Sequence, residues 1–170
     1  MASYNDQESL LTENDTRQML RDYYKSVRMN KSEQQNLLAE ENQKNGAKFL
    51  KKNKTKNGVI ELSSGLQYKV IRAGSGASPT VNDSVKVHYT GKHLDGTVFD
   101  SSFERNEPAI MSLRSVIKGW AEALQIMRAG DKWELYIPHA LAYGRRGSGD
   151  KIGPNELLIF EVELIDIVVN

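Results

Sequence analysis

Val85-Lys86-Val87-His88-Tyr89-Thr90-Gly91-Lys92 runs directly into His93-Leu94-Asp95-Gly96-Thr97-Val98-Phe99-Asp100. Val85, Val87 and Tyr89 alternate with Lys86, His88 and Thr90, the signature of a strand with one face buried. Asp95-Gly96 is a strong short hairpin signal. It is expected to form a type I′ turn, which needs positive φ at both central residues. Thr97 to Asp100 then returns as the partner strand.

The same alternation recurs downstream. Trp133, Leu135 and Ile137 form a strand stopped by Pro138, and Leu158, Phe160, Val162 and Leu164 form another, with Glu161 and Glu163 on its opposite face. Between them Val116, Trp120, Ala123, Leu124 and Met127 sit at helical spacing, and Gly130 ends the helix. Short strands with one helix predict an α+β fold, a twisted antiparallel sheet wrapped around that helix.

Upstream the character changes. Residues 1–58 hold none of the 4 prolines and two of the 13 glycines. Met19, Leu20, Tyr23, Tyr24 and Val27 mark one stripe of a helix. Ser32 and Gln35 resemble a capping box, so a second helix or a restart is expected there. Its apolar residues, Leu37, Leu38, Phe49 and Leu50, make too thin a stripe to bury much area. Asn53 to Gly58 reads as a polar stop. The division is therefore 1–58 as a helical extension or linker and 59–170 as the main domain. The extension is either a solvated spacer or a self-association or partner-binding arm using Tyr23, Tyr24 and Val27.

Composition narrows the chemistry. The chain has 170 residues, 23 Lys plus Arg and 22 Asp plus Glu, a near-balance that argues against a dedicated nucleic-acid binder. It has no cysteine, which excludes a disulfide, a thiolate nucleophile and a Cys-ligated zinc. No stretch approaches the roughly 18 apolar residues of a membrane span. The first thirty residues lack a signal-peptide pattern. There is no Gly-x-Ser-x-Gly elbow, and Gly74-Ser75-Gly76 lacks the Lys-Ser/Thr of a phosphate loop. His88 and His93 are expected on opposite sides, so no metal site is predicted. What remains is a set of aromatics, Tyr89, Phe99, Trp120, Tyr143 and Phe160, facing the concave side of the sheet, with Asp100 beside them. Each alone reads as core packing; together they read as an apolar cleft with two polar handles.

Val87-His88-Tyr89-Thr90-Gly91, Asp95 to Ser102, Val116-Ile117-Lys118-Gly119-Trp120, Ala142-Tyr143-Gly144 and Leu158 to Leu164 resemble the FKBP-type peptidyl-prolyl cis-trans isomerases, in order and spacing, over roughly residues 60–167. Asn45 to Leu50 and Gly65 to Val70 are similar to the Mip-like subgroup. The resemblance implies a prolyl isomerase without a cofactor or metal. It implies Asp100, Tyr143 and Phe99 as the residues of turnover. Tyr89, Met111, Val116, Ile117, Trp120, Ile152 and Phe160 would join them around the substrate, with the proline ring on Trp120. It further implies proline-containing or unfolded polypeptides as partners, macrolide immunosuppressants as ligands, and a secreted or cell-surface location; a cytoplasmic one is the alternative. Ala109 and Met111 stand where phenylalanines are common in the family, so ligand affinity or sequence preference is expected to differ. A different class also fits the residues: a binding module or secreted effector whose cleft docks a partner, with turnover incidental.

Overall fold

The structure is a computed structural model describing residues 12–168. By compactness the chain divides into two units, residues 1–37 and 38–170. The division lies upstream of residue 58 because the end of the first helix is packed on the sheet.

That helix, α1, spans Glu13–Asn53 without interruption. Its capping box lies at Thr12 and Asp15, where the Asp15 N–H donates to Thr12 Oγ1 (3.2 Å) and the Thr12 N–H to Asp15 Oδ2 (3.1 Å). The expected start at Ser32 does not occur. With no proline or glycine between Glu13 and Asn45, nothing breaks the helix there. Within the first unit Met19, Leu20, Tyr23, Tyr24 and Val27 are all exposed.

In the second unit Phe49 and Leu50 are half-buried, the Phe49 ring lying 5.8 Å from that of Tyr136, but the fully buried residues of α1 are smaller or polar. Ala39, Gly46 and Asn53 are the buried residues, each seven apart, while Leu38 stays exposed. A Cβ on Gly46 would lie 3.2 Å from the Leu157 Cβ, so the glycine permits the close approach. Asn53 Nδ2 donates to Gln67 Oε1 (3.0 Å), and Gln67 Nε2 donates to the Leu50 carbonyl (3.0 Å), both side chains being fully buried.

Among the described residues seven strands form one antiparallel sheet: β1 (Val59–Glu61), β2 (Gln67–Arg72), β3 (Ser84–Lys92), β4 (Val98–Ser101), β5 (Ala109–Ser112), β6 (Lys132–Ile137) and β7 (Leu158–Val168). The order is β1-β2-β6-β7-β3-β4, with β5 also pairing β3. Helix α2 (Lys118–Ile126) buries Trp120, Ala123 and Leu124 against Val85, Val87, Leu135, Leu158 and Val162. This is the expected α+β arrangement, a sheet around one short helix. Alternation in β3 is complete: Val85, Val87, Tyr89 and Gly91 are buried and their neighbours half-buried.

The β3–β4 connection differs from a type I′ turn. Gly96 has φ of 89°, while Asp95 is not in the positive-φ region. The Gly96 N–H donates to the His93 carbonyl (3.0 Å) and the His93 N–H to the Thr97 carbonyl (2.9 Å). This is a turn over His93–Gly96 closed by a left-handed glycine, the longer hairpin loop that spares Asp95 the positive φ.

Candidate active site

Four elements place one ring each around a common hollow. Tyr89 comes from β3, Phe99 from β4, Phe160 from β7 and Trp120 from α2. Trp120 meets Tyr89 (5.2 Å between centroids, 86°) and Phe160 (5.3 Å, 84°) edge to face, and Phe99 meets Phe160 the same way (5.5 Å, 89°). Edge-to-face contacts suit the ring quadrupoles and fix the rings' orientations. Gly91 makes this possible. A Cβ there would lie 2.6 Å from Phe99 Cζ and 2.7 Å from Phe160 Cε1.

The hollow is a cavity of about 250 Å³ lined by Tyr89, Phe99, Asp100, Met111, Ser115, Val116, Ile117, Trp120, Tyr143 and Phe160. Nine of the ten residues expected around a substrate are thus brought together. Ile152 is not among them. Its backbone pairs with Ser148 (Ser148 N–H to Ile152 carbonyl 2.9 Å; the reverse bond 3.1 Å), and Ile152 is buried in the hydrophobic core. Ser115 lines the cavity without having been anticipated.

Polar groups are few and oriented. Ile117 precedes α2, and its carbonyl accepts from the Trp120 and Ala121 amides (3.0 and 3.1 Å). Its own N–H has no hydrogen-bond partner among the described residues, leaving a donor at the helix start beside the cavity. Tyr143, 40 % exposed, stands at the rim.

Asp100 is clamped from both sides. The Tyr89 hydroxyl donates to Asp100 Oδ2 (2.6 Å), and Arg105 donates through Nη1 to Asp100 Oδ1 (2.6 Å) and through Nη2 to the Tyr89 oxygen (2.8 Å). Partial burial pulls the Asp100 carboxyl upward, but the hydrogen bonds from Tyr89 and Arg105 outweigh it and leave it below the usual carboxylate value. Burial, with the hydrogen bond to Asp100, raises the Tyr89 phenol and keeps it a donor. Arg105 was missed in the sequence. It is one basic residue in a polar turn, and only the course of the chain after Ser102 returns it to Asp100.

A larger groove, of about 600 Å³, lies between α1 and the β3–β4 turn, lined by residues such as Leu38, Asn42, His93 and Glu156. It lacks convergent rings, and its His93 and Glu156 side chains are already engaged with each other. The smaller cavity has what a specific apolar ligand requires: aromatic walls fixed edge to face, a free backbone donor and a fixed carboxylate. Among the described residues no group of three His, Cys, Asp or Glu could hold a metal ion.

Residues 76–165 match the FKBP-type peptidyl-prolyl cis-trans isomerase family, and residues 1–70 match the domain amino terminal to FKBP-type peptidyl-prolyl isomerase. The chain is 48 % identical over 158 residues to the "Outer membrane protein MIP" of Legionella longbeachae, covering 93 % of this chain and 68 % of that one. It is 47 % identical over 165 residues to the "Peptidyl-prolyl cis-trans isomerase Mip" of Coxiella burnetii, covering 97 % and 72 %. The crystal structure of FkpA from Escherichia coli superposes with a TM-score of 0.88 at 37 % identity, covering 94 % of this chain and 74 % of that one. Family match, relatives and fold agree with the residues gathered around Trp120: the chain belongs to the FKBP-type peptidyl-prolyl cis-trans isomerases.

Proposed function

We propose that the Trp120 cavity turns X–Pro bonds by preferring the twisted amide over the planar one. The single observation that carries this reading is the convergence of Tyr89, Phe99, Trp120 and Phe160 on one small hollow that also holds a free N–H and a clamped carboxylate. Rotation about a prolyl amide crosses a barrier of about 18–20 kcal/mol, although trans is favoured by only about 0.5–1 kcal/mol. The barrier is lost amide resonance, so no nucleophile is needed. The planar amide carries more charge separation than the twisted one. An apolar cavity strips the water that stabilises the planar dipole, and so narrows the gap. Only interactions stronger with the twisted form raise the rate.

In this reading the proline ring lies on the Trp120 indole between Tyr89, Phe99, Met111, Val116 and Phe160. The Ile117 N–H and the Tyr143 hydroxyl donate to substrate carbonyls and hold the backbone on either side of the rotating bond. Asp100 stays anionic at neutral pH and orients the carbonyl that swings during rotation. Phe99, Asp100 and Tyr143 are the residues of turnover. Residues 59–170 act as the isomerase domain and 1–58 as its helical extension, whose exposed Tyr23, Tyr24 and Val27 offer a self-association stripe. The cavity also suits a macrolide with a proline-like ring. A surface or exported location, with a role in folding or virulence outside the cell, is supported by the relative named as an outer membrane protein. Among the described residues no helix is long and apolar enough to cross a membrane.

A protease-coupled assay on a short Xaa-Pro-Phe peptide tests the reading. Asp100→Ala and Tyr143→Phe are each expected to lower kcat/KM about tenfold or more, at unchanged folded-state circular dichroism. Wild-type rates in both variants would remove these two residues from the mechanism.

A further inference from the structure

Between Asn42 and Ile60 the chain carries six lysines, no arginine and no aspartate or glutamate. Four of them stand on the last turns of α1. At the α-helical repeat Lys44, Lys48 and Lys51 fall in one row, with Lys52 beside it, on the side of the helix opposite Ala39, Gly46 and Asn53. Those three buried residues mark the side packed on the sheet, so the lysines occupy the outward side. All four are exposed, and none of their ammonium groups has a hydrogen bond or ion pair among the described residues. Just past the helix end Lys56, also exposed, lies over the Phe49 ring, 5.5 Å from its centroid.

The acids nearby are fewer. Glu40 and Glu41 stand one turn before Lys44 and are set against it. Glu61 is held by Lys54 (3.4 Å) and by Gln67 (2.7 Å). Glu134, on the strand whose Tyr136 meets Phe49, stands opposite Lys69 in the β2–β6 register. Glu156, in the groove beside Asn42, is engaged with His93 and the Gly153 N–H. Setting Glu40, Glu41, Glu61 and Glu134 against Lys69 and the lysines from Lys44 to Lys56 leaves a surplus of three positive charges, although the whole chain carries a formal charge of only +1.

We propose that this lysine row binds the surface of a bilayer rich in anionic phospholipid, a peripheral contact that goes beyond prolyl turnover and does not rest on the Trp120 cavity. Shape and residue type favour that partner. The outward side of a helix is a convex ridge, which offers a peptide no groove, whereas a flat sheet of headgroups meets every lysine of the row. Lysine is a compact, hydrated charge on a flexible stem, suited to diffuse attraction. Without arginine the row lacks the fork that reads single phosphates in nucleic acid. Clusters of about four or more basic residues on a helix are drawn to anionic headgroups in this way. The uncharged residues interspersed on this side, Asn45 and Ala47, are polar or small, so nothing large and apolar enters the bilayer. Binding therefore rests on charge and is screened by salt.

Co-sedimentation of the full chain with lipid vesicles tests this. At low salt the chain is expected to bind phosphatidylcholine vesicles holding about one third phosphatidylglycerol about tenfold or more tighter than pure phosphatidylcholine, and to lose the difference in about 0.5 M NaCl. The triple variant Lys48→Gln, Lys51→Gln, Lys52→Gln is expected to weaken binding to the anionic vesicles by about tenfold or more. Arginine at the same three positions is expected to retain it, each variant keeping the wild-type circular dichroism. Removing three cations elsewhere, by Lys25→Gln, Lys31→Gln and Arg128→Gln, is expected to cost less than about twofold. Equal binding to both kinds of vesicle would overturn the proposal. So would a triple glutamine variant that binds like wild type, or one that loses no more than the set changed elsewhere, because net charge alone would then be at work. Row-dependent binding of poly-glutamate or of a DNA duplex, with none to the anionic vesicles, would also overturn it and assign the row to a polypeptide or a nucleic acid.

Discussion

Gly91 carries a demand that no neighbour can meet. Two rings cross its Cα face at distances where a methyl group has no room. Gly91→Ala is expected to cost about 1–3 kcal/mol in urea unfolding and to lower turnover, because Phe99 and Phe160 must part. A variant with wild-type stability and rate would show that the rings are free to move. Arg105 makes a second residue-scale prediction. The folded Asp100 carboxyl is lowered, so its contribution to stability is complete above the ordinary value of about 3.9 and is lost as pH falls through the lowered one. Arg105→Gln removes one of the groups that lower it. The stability gap between wild type and variant is therefore expected to be widest near neutral pH and to close on acidification. A gap that stays constant down to about pH 2 would contradict the clamp.

At the scale of elements, legibility followed the type of packing. β3, β6, β7 and α2 were readable because buried apolar side chains repeat there with period two or near 3.6. The contact face of α1 was not, since Ala39, Gly46 and Asn53 pack through closeness and hydrogen bonds and leave no apolar period. The β3–β4 turn was placed correctly, but its type depended on how many residues the ladder leaves unpaired, which Asp95-Gly96 does not specify. The family resemblance implies Ile152 on the cavity's far wall, and it does not line the cavity. Its backbone is held by the Ser148–Ile152 pairing, a feature without a side-chain signature in the sequence, and its side chain is buried. Asn53 tests the α1 contact. Asn53→Ala strands the buried Gln67 Oε1 and is expected to cost about 1–3 kcal/mol, read from the urea midpoint. A change within about 0.5 kcal/mol would mean that the bond adds nothing to docking.

For the whole molecule the two units make separable claims. The sheet, α2 and the last part of α1 share one set of buried contacts, so a chain beginning at Leu38 is expected to unfold cooperatively and to turn over short peptides at the full-length rate. Sedimentation of full-length and shortened chains then reads the Tyr23, Tyr24 and Val27 stripe: a larger species only for the full chain assigns self-association to it. Loss of cooperative unfolding in the shortened chain would show that the second unit is incomplete.

A prolyl peptide is expected to bind and turn in the ring-lined hollow and not in the larger groove beside α1. Titrating a labelled sample with Ala-Leu-Pro-Phe, while following amide and indole resonances, tests it directly. The shifts are expected to centre on the Ile117 amide, the Trp120 indole, Asp100 and Tyr143, and cis-trans exchange of the peptide to accelerate in the same sample. Shifts confined to Leu38, Asn42, His93 and Glu156, with Trp120 unmoved, would contradict it.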